Sequence, residues 1–351
     1  MLGLWRRQLR LLLVGYQRSD RPEARRRGQR TEARGHKSED LMHEPIRIAT
    51  RGSKLALWQA EHIAARLREE HPGLEVELKV VKTSGDKIQD APLARFGGKG
   101  LFVKEIEETL QRGEAELAVH SMKDIPSELP EGLTLGVVPE RDDPSDAFLS
   151  HTYPDIASLP HGSTVGTSSL RRQAQLLALR PDLSVQMLRG NLDTRLRKLE
   201  QGQYQAIIAA SVGLKRLELD APYTTRLLSV EFLPAVGQGS LGLEYVRENS
   251  EVEALLAGLD HPPSRSAITA ERSFLQRLEG GCQVPIGGHA TFQDQDLLLR
   301  GVVADLQGKE IIREERRLPA EEAERLGREV ADSILGRGGD RILREAMETE
   351  I

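Results

Sequence analysis

The sequence predicts an α/β protein with two lobes built on mixed, mainly parallel sheets, and a smaller C-terminal α+β domain. Three observations support this class. Short apolar runs alternate with helical patterns between residues 45 and 260, which is typical of parallel sheets covered by helices. The segments TRGSKLALWQA and GTSSLRRQAQL share one plan, in which a strand ends in threonine and a helix begins at serine. After HPPSR (261–265) the apolar runs follow one another directly, as in an antiparallel sheet.

The first lobe is predicted to alternate strands with helices. Ser53 is predicted to cap the first helix, because a serine before an apolar-periodic run can accept hydrogen bonds from free N–H groups. Gly113 is predicted to end the second helix. The predicted strands are 46–50, 76–80, 116–120 and 133–138, and the predicted helices begin at Ser53 and span 99–112.

The second lobe repeats this alternation, and the C-terminal domain departs from it. In the second lobe we predict strands at 163–167, 184–188 and 206–210 and helices at 169–180, 194–201 and 211–218. In the C-terminal domain we predict a helix from Ser266 to Leu278, three antiparallel strands and an amphipathic helix that begins at Pro319. The predicted domains are 45–140 with 238–260, 141–237 and 261–351, and charge and proline at 141–146 mark the boundary between the lobes.

The first 44 residues are predicted to be a disordered basic leader. Residues 1–40 hold eleven Lys and Arg against five Asp and Glu, whereas the whole chain has a net charge of −5. The apolar run at Leu11 is too short for a membrane span, and no clear secretory cleavage site is present. An organellar transit peptide is the alternative, which the low serine content disfavours.

The only cysteine, Cys282, lies in the segment LEGGCQVPIGG. One cysteine excludes an internal disulfide, and no Cys/His cluster has zinc spacing, so we expect a cytoplasmic protein without a structural metal. Two glycines before Cys282 and a proline three residues after it predict a tight turn that presents the thiol. The thiol is a small buried hydrophobe, a nucleophile, a redox sensor or an attachment point, and the turn does not choose among these.

Several arginines are predicted to lie where strands end and helices begin: Arg51, Arg171, Arg172, Arg189, Arg195 and Arg216. Any one of them could be a solvated surface charge. Together, at the carboxyl ends of presumed parallel strands, they predict a ligand with several carboxylates or phosphates. Lys123 and Asp124 follow a buried-looking strand and form either a salt-bridged turn or a site for proton transfer.

The segment GQGSLG (237–242) matches the glycine spacing of a dinucleotide site. Pro234 before it and LEYV after it disagree with the strand and helix that such a site needs. A nicotinamide-dependent oxidoreductase would depend on this segment alone. A binding module for an anionic solute is the other alternative, but it would need neither the cysteine turn nor Asp124.

Six motifs resemble the hydroxymethylbilane synthase (porphobilinogen deaminase) family: RGSKLALWQ, GGKGLF, HSMKD, VGTSSLRRQAQL, LRGN followed by TRL, and GGCQVPIG. The resemblance runs in order from about Ile46 to the C-terminus. It implies two lobes like those of periplasmic binding proteins. It also implies a monomeric transferase that polymerises four porphobilinogen molecules with release of ammonia, without nucleic acid or membrane partners.

The resemblance also implies roles for individual residues. Cys282 matches the cysteine that holds a dipyrromethane cofactor through a thioether, and Asp124 matches the catalytic aspartate. Arg95 departs from the lysine that is common in bacterial members, so its contact could differ. The positions that match the cofactor and substrate site are Arg51, Ser53, Arg95, Lys99, Phe102, Lys123, Thr167, Ser169, Arg171, Arg172, Arg189, Asn191, Arg195, Arg216 and Gln238.

Overall fold

The structure, a computed structural model, describes residues 45–84, 103–227, 230–279 and 284–349. The strands in these ranges are β1 (Ile46–Arg51), β2 (Val76–Val81), β3 (Leu117–Ser121), β4 (Leu133–Val137), β5 (Asp146–Ser150), β6 (Thr164–Gly166), β7 (Ser184–Gln186), β8 (Ala206–Ala210), β9 (Tyr223–Leu227), β10 (Leu241–Val246), β11 (Ile286–Gln293), β12 (Asp296–Ala304) and β13 (Ile311–Pro319). The α-helices are α1 (Lys54–Glu70), α2 (Lys104–Gln111), α3 (Leu170–Leu179), α4 (Leu192–Glu200), α5 (Ser211–Arg216), α6 (Ser250–Leu256), α7 (Pro262–Arg277), α8 (Ala323–Ile334) and α9 (Asp340–Thr349).

Three sheets organise the described chain. The first sheet has the order β2-β1-β3-β10-β4, the second β7-β6-β8-β5-β9 and the third β11-β12-β13. Helices pack against each sheet, and separate apolar clusters fill the space between them. The predicted α/β class and the smaller C-terminal α+β part are therefore confirmed.

The five-stranded sheets contain less parallel pairing than the sequence predicted. Each has two parallel and two antiparallel pairings. The antiparallel pairings arise because β5 and β10 each begin at the carboxyl-end edge of their sheet. Asp146 pairs with Ala210 at the carboxyl end of β8, and Leu241 pairs with Ser121 at the carboxyl end of β3. A strand that starts at this edge must run against its neighbours.

Two crossing segments, 138–145 and 230–240, connect the first and second sheets. They lie side by side, since the backbone N–H of Asp142 donates to the carbonyl of Gly239 (3.2 Å) and Nε2 of Gln238 donates to the carbonyl of Pro144 (2.7 Å). Gly237 and Gly239 have positive φ angles of 74° and 92°. The segment GQGSLG (237–242) begins in the second crossing and leads into strand β10. A dinucleotide site needs a helix after its glycines, so this segment does not form one.

One buried carboxylate joins helix α7 to both crossing segments. Glu271 is fully buried, and its Oε1 accepts a hydrogen bond from Nη1 of Arg141 (2.5 Å). Its Oε2 accepts from the backbone N–H of Gly237 (2.7 Å), and Oε1 also accepts from the N–H of Ala290 in β11 (2.8 Å). The third sheet and both crossings therefore share one anchor.

Helix α1 shows why the predicted elements form. Ser53 accepts a hydrogen bond from the N–H of Ala56 (3.3 Å), as its position before the apolar pattern predicted. The buried face of α1 includes Ile63 and Leu67, and burying such side chains contributes roughly 1.5–3 kcal/mol each. Helix α7 begins at Pro262, four residues before the predicted start, because a proline in the first turn needs no intrahelical donor.

None of the helices in the described ranges has the length and apolar character needed to cross a bilayer.

Candidate functional site

Asp124 lies just beyond the carboxyl end of β3, in a 3₁₀ turn formed by Met122–Asp124. Met122 is buried, and its N–H donates to the carbonyl of Ser240 in the second crossing (3.0 Å). Asp124 itself is exposed. A fixed turn therefore presents a carboxylate to solvent where the first sheet meets the second crossing.

A cavity beside Asp124 brings predicted residues of the first sheet together. Arg51 ends β1, and Ser53 caps α1. Nε2 of Gln59 donates to Oγ of Ser121 (2.8 Å), which fixes one wall. The lining residues are Arg51, Ser53, Leu55, Ala56, Gln59, Val103, Ile106, Val119, His120, Ser121 and Asp124.

The start of α3 contributes four predicted residues from the second sheet. Ser169 caps the helix, and its Oγ accepts from the N–H of Arg172 (3.5 Å). Oγ1 of the buried Thr167 accepts from the N–H of Ser169 (3.2 Å). These bonds fix the first turn of α3, so the side chains of Arg171 and Arg172 extend from a rigid backbone.

Arg171 and Arg172 are buried and share one carboxylate, Asp146. Nη1 of Arg171 donates to Oδ2 of Asp146 (2.7 Å), and Nη2 and Nε of Arg172 donate to Oδ1 (2.7 and 3.0 Å). Nε2 of Gln238 also donates to Oδ1 (2.9 Å). Burial alone would raise the pKa of Asp146, but the two guanidinium groups hold it well below its usual range. Most donors of this arginine pair are therefore already used within the protein.

Sequence reasoning missed Asp146 as a partner of these arginines. The segment RDDPSD was interpreted as a lobe boundary, although a carboxylate directly before the apolar run AFLS is unusual. Asp146 begins β5 and is fully buried. A buried carboxylate needs paired cations. An aspartate next to an apolar run could therefore have indicated that some of the arginines have a buried partner.

Replacing Asp146 with asparagine is expected to lower the free energy of unfolding by about 3–5 kcal/mol, because two buried cations lose their counter-charge. Urea titration followed by circular dichroism measures the change. The matched control is Asp296→Asn, which removes a surface pair with Arg317 and should cost less than about 1 kcal/mol. Equal effects of the two substitutions would contradict the assignment.

Arg195 connects the second sheet electrostatically to Asp124. Its Nε donates to the carbonyl of Gly190 (2.8 Å). Burial, together with the neighbouring Arg172 and Arg189, lowers the pKa of Arg195 to about 10, and Asp124 opposes this shift. Asn191, at the start of α4, is exposed. Three guanidinium groups and the carboxylate of Asp124 thus act on one region.

Lys123 lies in the same electrostatic region. Burial lowers its pKa, Asp124 and Asp146 oppose this shift, and Arg172 and Arg171 reinforce it. Lys123, in the turn after β3, is therefore within electrostatic reach of Arg171, Arg172 and Asp146. The structure therefore brings together predicted residues from both five-stranded sheets.

Arg216 contacts the first sheet's helix α1 rather than the arginine pair. Its guanidinium lies 5.3 Å from the ring centroid of Trp58, an arrangement that favours a cation–π interaction. Its Nη2 donates to the carbonyl of Gly239 (3.2 Å), and Nε lies 3.8 Å from Oδ2 of Asp142. Burial lowers the pKa of Arg216, and Asp142 opposes the shift.

Some buried polar atoms at this site lack a hydrogen-bond partner within the described ranges. They are Nε of Arg171, Nε of Arg216, Oε1 of Gln238 and Oγ of Ser240. A buried donor without a partner costs about 1–3 kcal/mol. Two of the four belong to arginines, and such donors suit an anionic ligand.

Four predicted site residues, Arg95, Lys99, Phe102 and Cys282, lie outside the described residues. Among the described residues, no group of three or more His, Cys, Asp or Glu side chains could hold a metal ion.

Two family models match the chain. Residues 46–254 match "Porphobilinogen deaminase, dipyromethane cofactor binding domain", and residues 266–336 match "Porphobilinogen deaminase, C-terminal domain". A porphobilinogen deaminase of Nitratidesulfovibrio vulgaris (strain DSM 19637 / Miyazaki F) is 57% identical over 303 residues, which cover 85% of this chain and 96% of that protein.

Another similar protein, a porphobilinogen deaminase of Maridesulfovibrio salexigens, is 54% identical over 298 residues, covering 85% of this chain and 97% of that protein. Among solved structures, a YaeC-family lipoprotein of Enterococcus faecalis V583 has a TM-score of 0.41 at 15% identity and covers 62% of this chain and 91% of that chain.

Proposed function

This chain belongs to the porphobilinogen deaminase family. From that premise we propose which residues hold the cofactor, which bind carboxylates and which one is catalytic. The enzyme polymerises four porphobilinogen molecules into the linear tetrapyrrole hydroxymethylbilane and releases ammonia, a reaction of haem biosynthesis, with a dipyrromethane cofactor. The family match carries this conclusion. The assignment of residues to steps is our proposal.

The cleft residues fit a cofactor that carries carboxylates. Burial and the neighbouring Arg172 and Arg189 lower the pKa of Arg195. Nε of Arg171 and Nε of Arg216 are buried donors without a hydrogen-bond partner in the described chain. Acetate and propionate groups would satisfy such donors and neutralise the excess positive charge. When bound, the dipyrromethane supplies a primer on which the pyrrole chain is extended.

We propose that Cys282 forms the thioether to this cofactor. Helix α7 ends at Arg277, five residues before Cys282, and this helix is anchored to both crossing segments through Glu271. The turn around Cys282 would thus start from a fixed point beside the crossings. Its thiol is consumed in the bond and does not act as a nucleophile in later turnovers.

We propose that Arg189, Arg195 and Arg216 bind carboxylates of the cofactor and substrate directly. Arg171 and Arg172 are assigned the same role, but only through donors that Asp146 leaves available, such as Nε of Arg171. Arg51, Ser53, Thr167, Ser169, Asn191, Gln238 and the loop residues Arg95, Lys99 and Phe102 complete the proposed site.

Asp124 is proposed as the catalytic residue. It is the exposed carboxylate in a cavity that also contains Arg51, and Lys123 precedes it. An ionised carboxylate stabilises the positive charge that develops on porphobilinogen as its amine leaves. It also carries protons to the leaving amine and from the attacked pyrrole carbon. Lys123 and Arg51 would hold substrate carboxylates nearby.

We propose three domains, 45–140 with 238–260, 141–237 and 261–351. All strands of each sheet fall within one of these domains, which supports the division. The crossing segments near Pro139 and from Phe232 to Ser240 would then be the hinges. Hinge movement would make room for a growing product.

We propose a cytoplasmic monomer that binds no nucleic acid. The single cysteine suits a reducing compartment. A net charge of −5 provides no overall excess of positive charge for a phosphate backbone.

The function is tested by incubating the purified protein with porphobilinogen and measuring both products. We expect one ammonia for each porphobilinogen consumed and hydroxymethylbilane as the released tetrapyrrole. Porphobilinogen that is bound but recovered unchanged would point instead to a binding module.

A further inference from the structure

His120 is a titratable residue in the reaction cavity to which the proposed function gives no role. It lies on β3, four residues before Asp124, and lines the same cavity as Asp124 and Arg51. Its side chain is 5% exposed. An imidazole placed between a cavity and the protein interior can exchange protons with either side.

Glu244 of β10 holds the inner side of this imidazole. Nε2 of His120 lies 2.9 Å from Oε2 of Glu244, and the glutamate is fully buried. An ionised Glu244 accepts a hydrogen bond only from a protonated Nε2. The bond therefore leaves Nδ1 of His120 as the nitrogen that can accept a proton.

Glu107 of α2 faces Glu244 and completes a buried cluster. It is 8% exposed, and Oε1 of Glu107 and Oε1 of Glu244 both lack a hydrogen-bond partner in the described ranges. Burial and the neighbouring Glu244 together raise the pKa of Glu107 to about 7, against the opposing effect of His120. Near neutral pH, a substantial share of the Glu107 side chains is therefore protonated, and Oε2 of Glu244 faces Nε2 of His120.

The other charged groups around this cluster come from two helices. Glu108, on α2, acts on Glu107 and also favours its protonation. Arg272, on α7, acts on Glu244 and donates from Nη2 to the carbonyl of Pro126 (2.8 Å). Arg272 therefore compensates part of the negative charge of Glu244 without entering the cavity.

When porphobilinogen reacts with its amine already protonated, each condensation leaves one proton in the cavity. A C–C bond forms, and the C–N bond breaks with its electron pair leaving on ammonia. The C–H electrons of the attacked pyrrole carbon then restore the aromatic ring as the proton departs. Asp124 must return to its ionised form before the next unit reacts. A base beside Asp124 would speed this return, and histidine is suited to that task.

We propose that His120, oriented by Glu244, is a proton-relay residue. Its Nδ1 takes the proton from Asp124, directly or through one water, and passes it to solvent or to the departing ammonia. Atoms balance, because the proton gained at Nδ1 is the one lost from the pyrrole carbon. This inference rests on the proposed role of Asp124.

The test compares kcat and KM over pH 5.5–9 for the wild type, His120→Gln and Glu244→Gln with porphobilinogen as substrate. We expect kcat to fall about tenfold to a hundredfold in both variants. KM should change little. The acidic limb of the kcat profile should change in His120→Gln. The matched control is His151→Gln, an exposed histidine outside the cavity, which should keep the wild-type profile.

A second measurement covers the case in which His120→Gln does not fold. Glu107→Gln mimics a protonated carboxyl group. Because Glu107 has a raised pKa in the folded state, its contribution to wild-type stability is lost as pH rises from about 4.5 through 7. The variant should therefore melt at a higher temperature than the wild type at pH 8.5 but not at pH 5. If His120→Gln does not fold, the kcat and KM of Glu244→Gln test the relay.

Two results would overturn the relay: an unchanged acidic limb in a folded His120→Gln protein, or a loss confined to KM. Failure of the wild type to release ammonia would instead refute the proposed function. The two failures are therefore distinguishable.

Discussion

Replacing Cys282 with alanine is expected to abolish hydroxymethylbilane formation and to remove a two-ring pyrrole adduct from the intact mass. A thioether needs the sulfur atom, and the chain has no second cysteine that could replace it. Without the covalent primer, Asp124 and the arginines have no fixed pyrrole to extend. Denaturing mass spectrometry of wild-type and variant protein measures the adduct directly.

Cys282→Ser is the closest control for side-chain size. A hydroxyl group ionises far less readily than a thiol and is a poorer nucleophile at neutral pH, so the serine variant should also lack the adduct. Far-ultraviolet circular dichroism should show that both variants fold. An adduct on Cys282→Ala, or an active wild-type protein with the mass of the bare chain, would refute the attachment.

Replacing Asp124 with asparagine is expected to reduce kcat by about a hundredfold to ten-thousandfold, the range for losing a group that stabilises charge and transfers protons. Asparagine has nearly the same shape, and Asp124 is exposed, so the melting temperature should stay close to that of the wild type. Ammonia release under saturating porphobilinogen measures kcat.

Glu128→Gln is the matched control for Asp124→Asn. Glu128 is an exposed carboxylate four residues further along the same surface loop. A surface change of this kind should alter kcat by less than about twofold. A variant at Asp124 that keeps near-normal turnover would show that another group does the work assigned to this carboxylate.

Many helices and strands were predicted from the sequence because apolar spacing and capping residues depend only on neighbouring positions. β1 and α1 followed from an apolar run and from the capping position of Ser53. β10 was not predicted, because Glu244 interrupts its apolar pattern. The reason for that glutamate is His120, 124 positions earlier in the chain. A cross-strand partner at such a distance leaves no local signal.

The C-terminal helices show the same limit. The sequence predicted one amphipathic helix starting at Pro319, and Gly338, which follows α8, has a positive φ of 95°. The chain nevertheless resumes as α9, because Ile342 and Leu343 join the apolar cluster formed by α7, α8 and the third sheet. Tertiary packing thus extends helical structure beyond a local stop.

The sequence predicted where the candidate site residues lie along strands and helices, but it did not predict the ion pairs that they form. Strand ends and helix starts suggested a common cleft for Asp124 and Arg195, and Asp124 lies close enough to affect the pKa of Arg195. The pairing of Arg171 and Arg172 with Asp146 crosses 25 and 26 residues, and sequence spacing alone cannot distinguish it from ligand binding. The contributions of Arg95, Lys99, Phe102 and Cys282 stay predictions.

The anchor at Glu271 makes the geometry of the third domain dependent on both crossings at once. Arg141 and Gly237 hold its two oxygens from opposite directions of the chain. If either crossing shifts, α7 must shift with it or break a buried bond. A displacement of either crossing would therefore be transmitted along α7 as far as its end at Arg277.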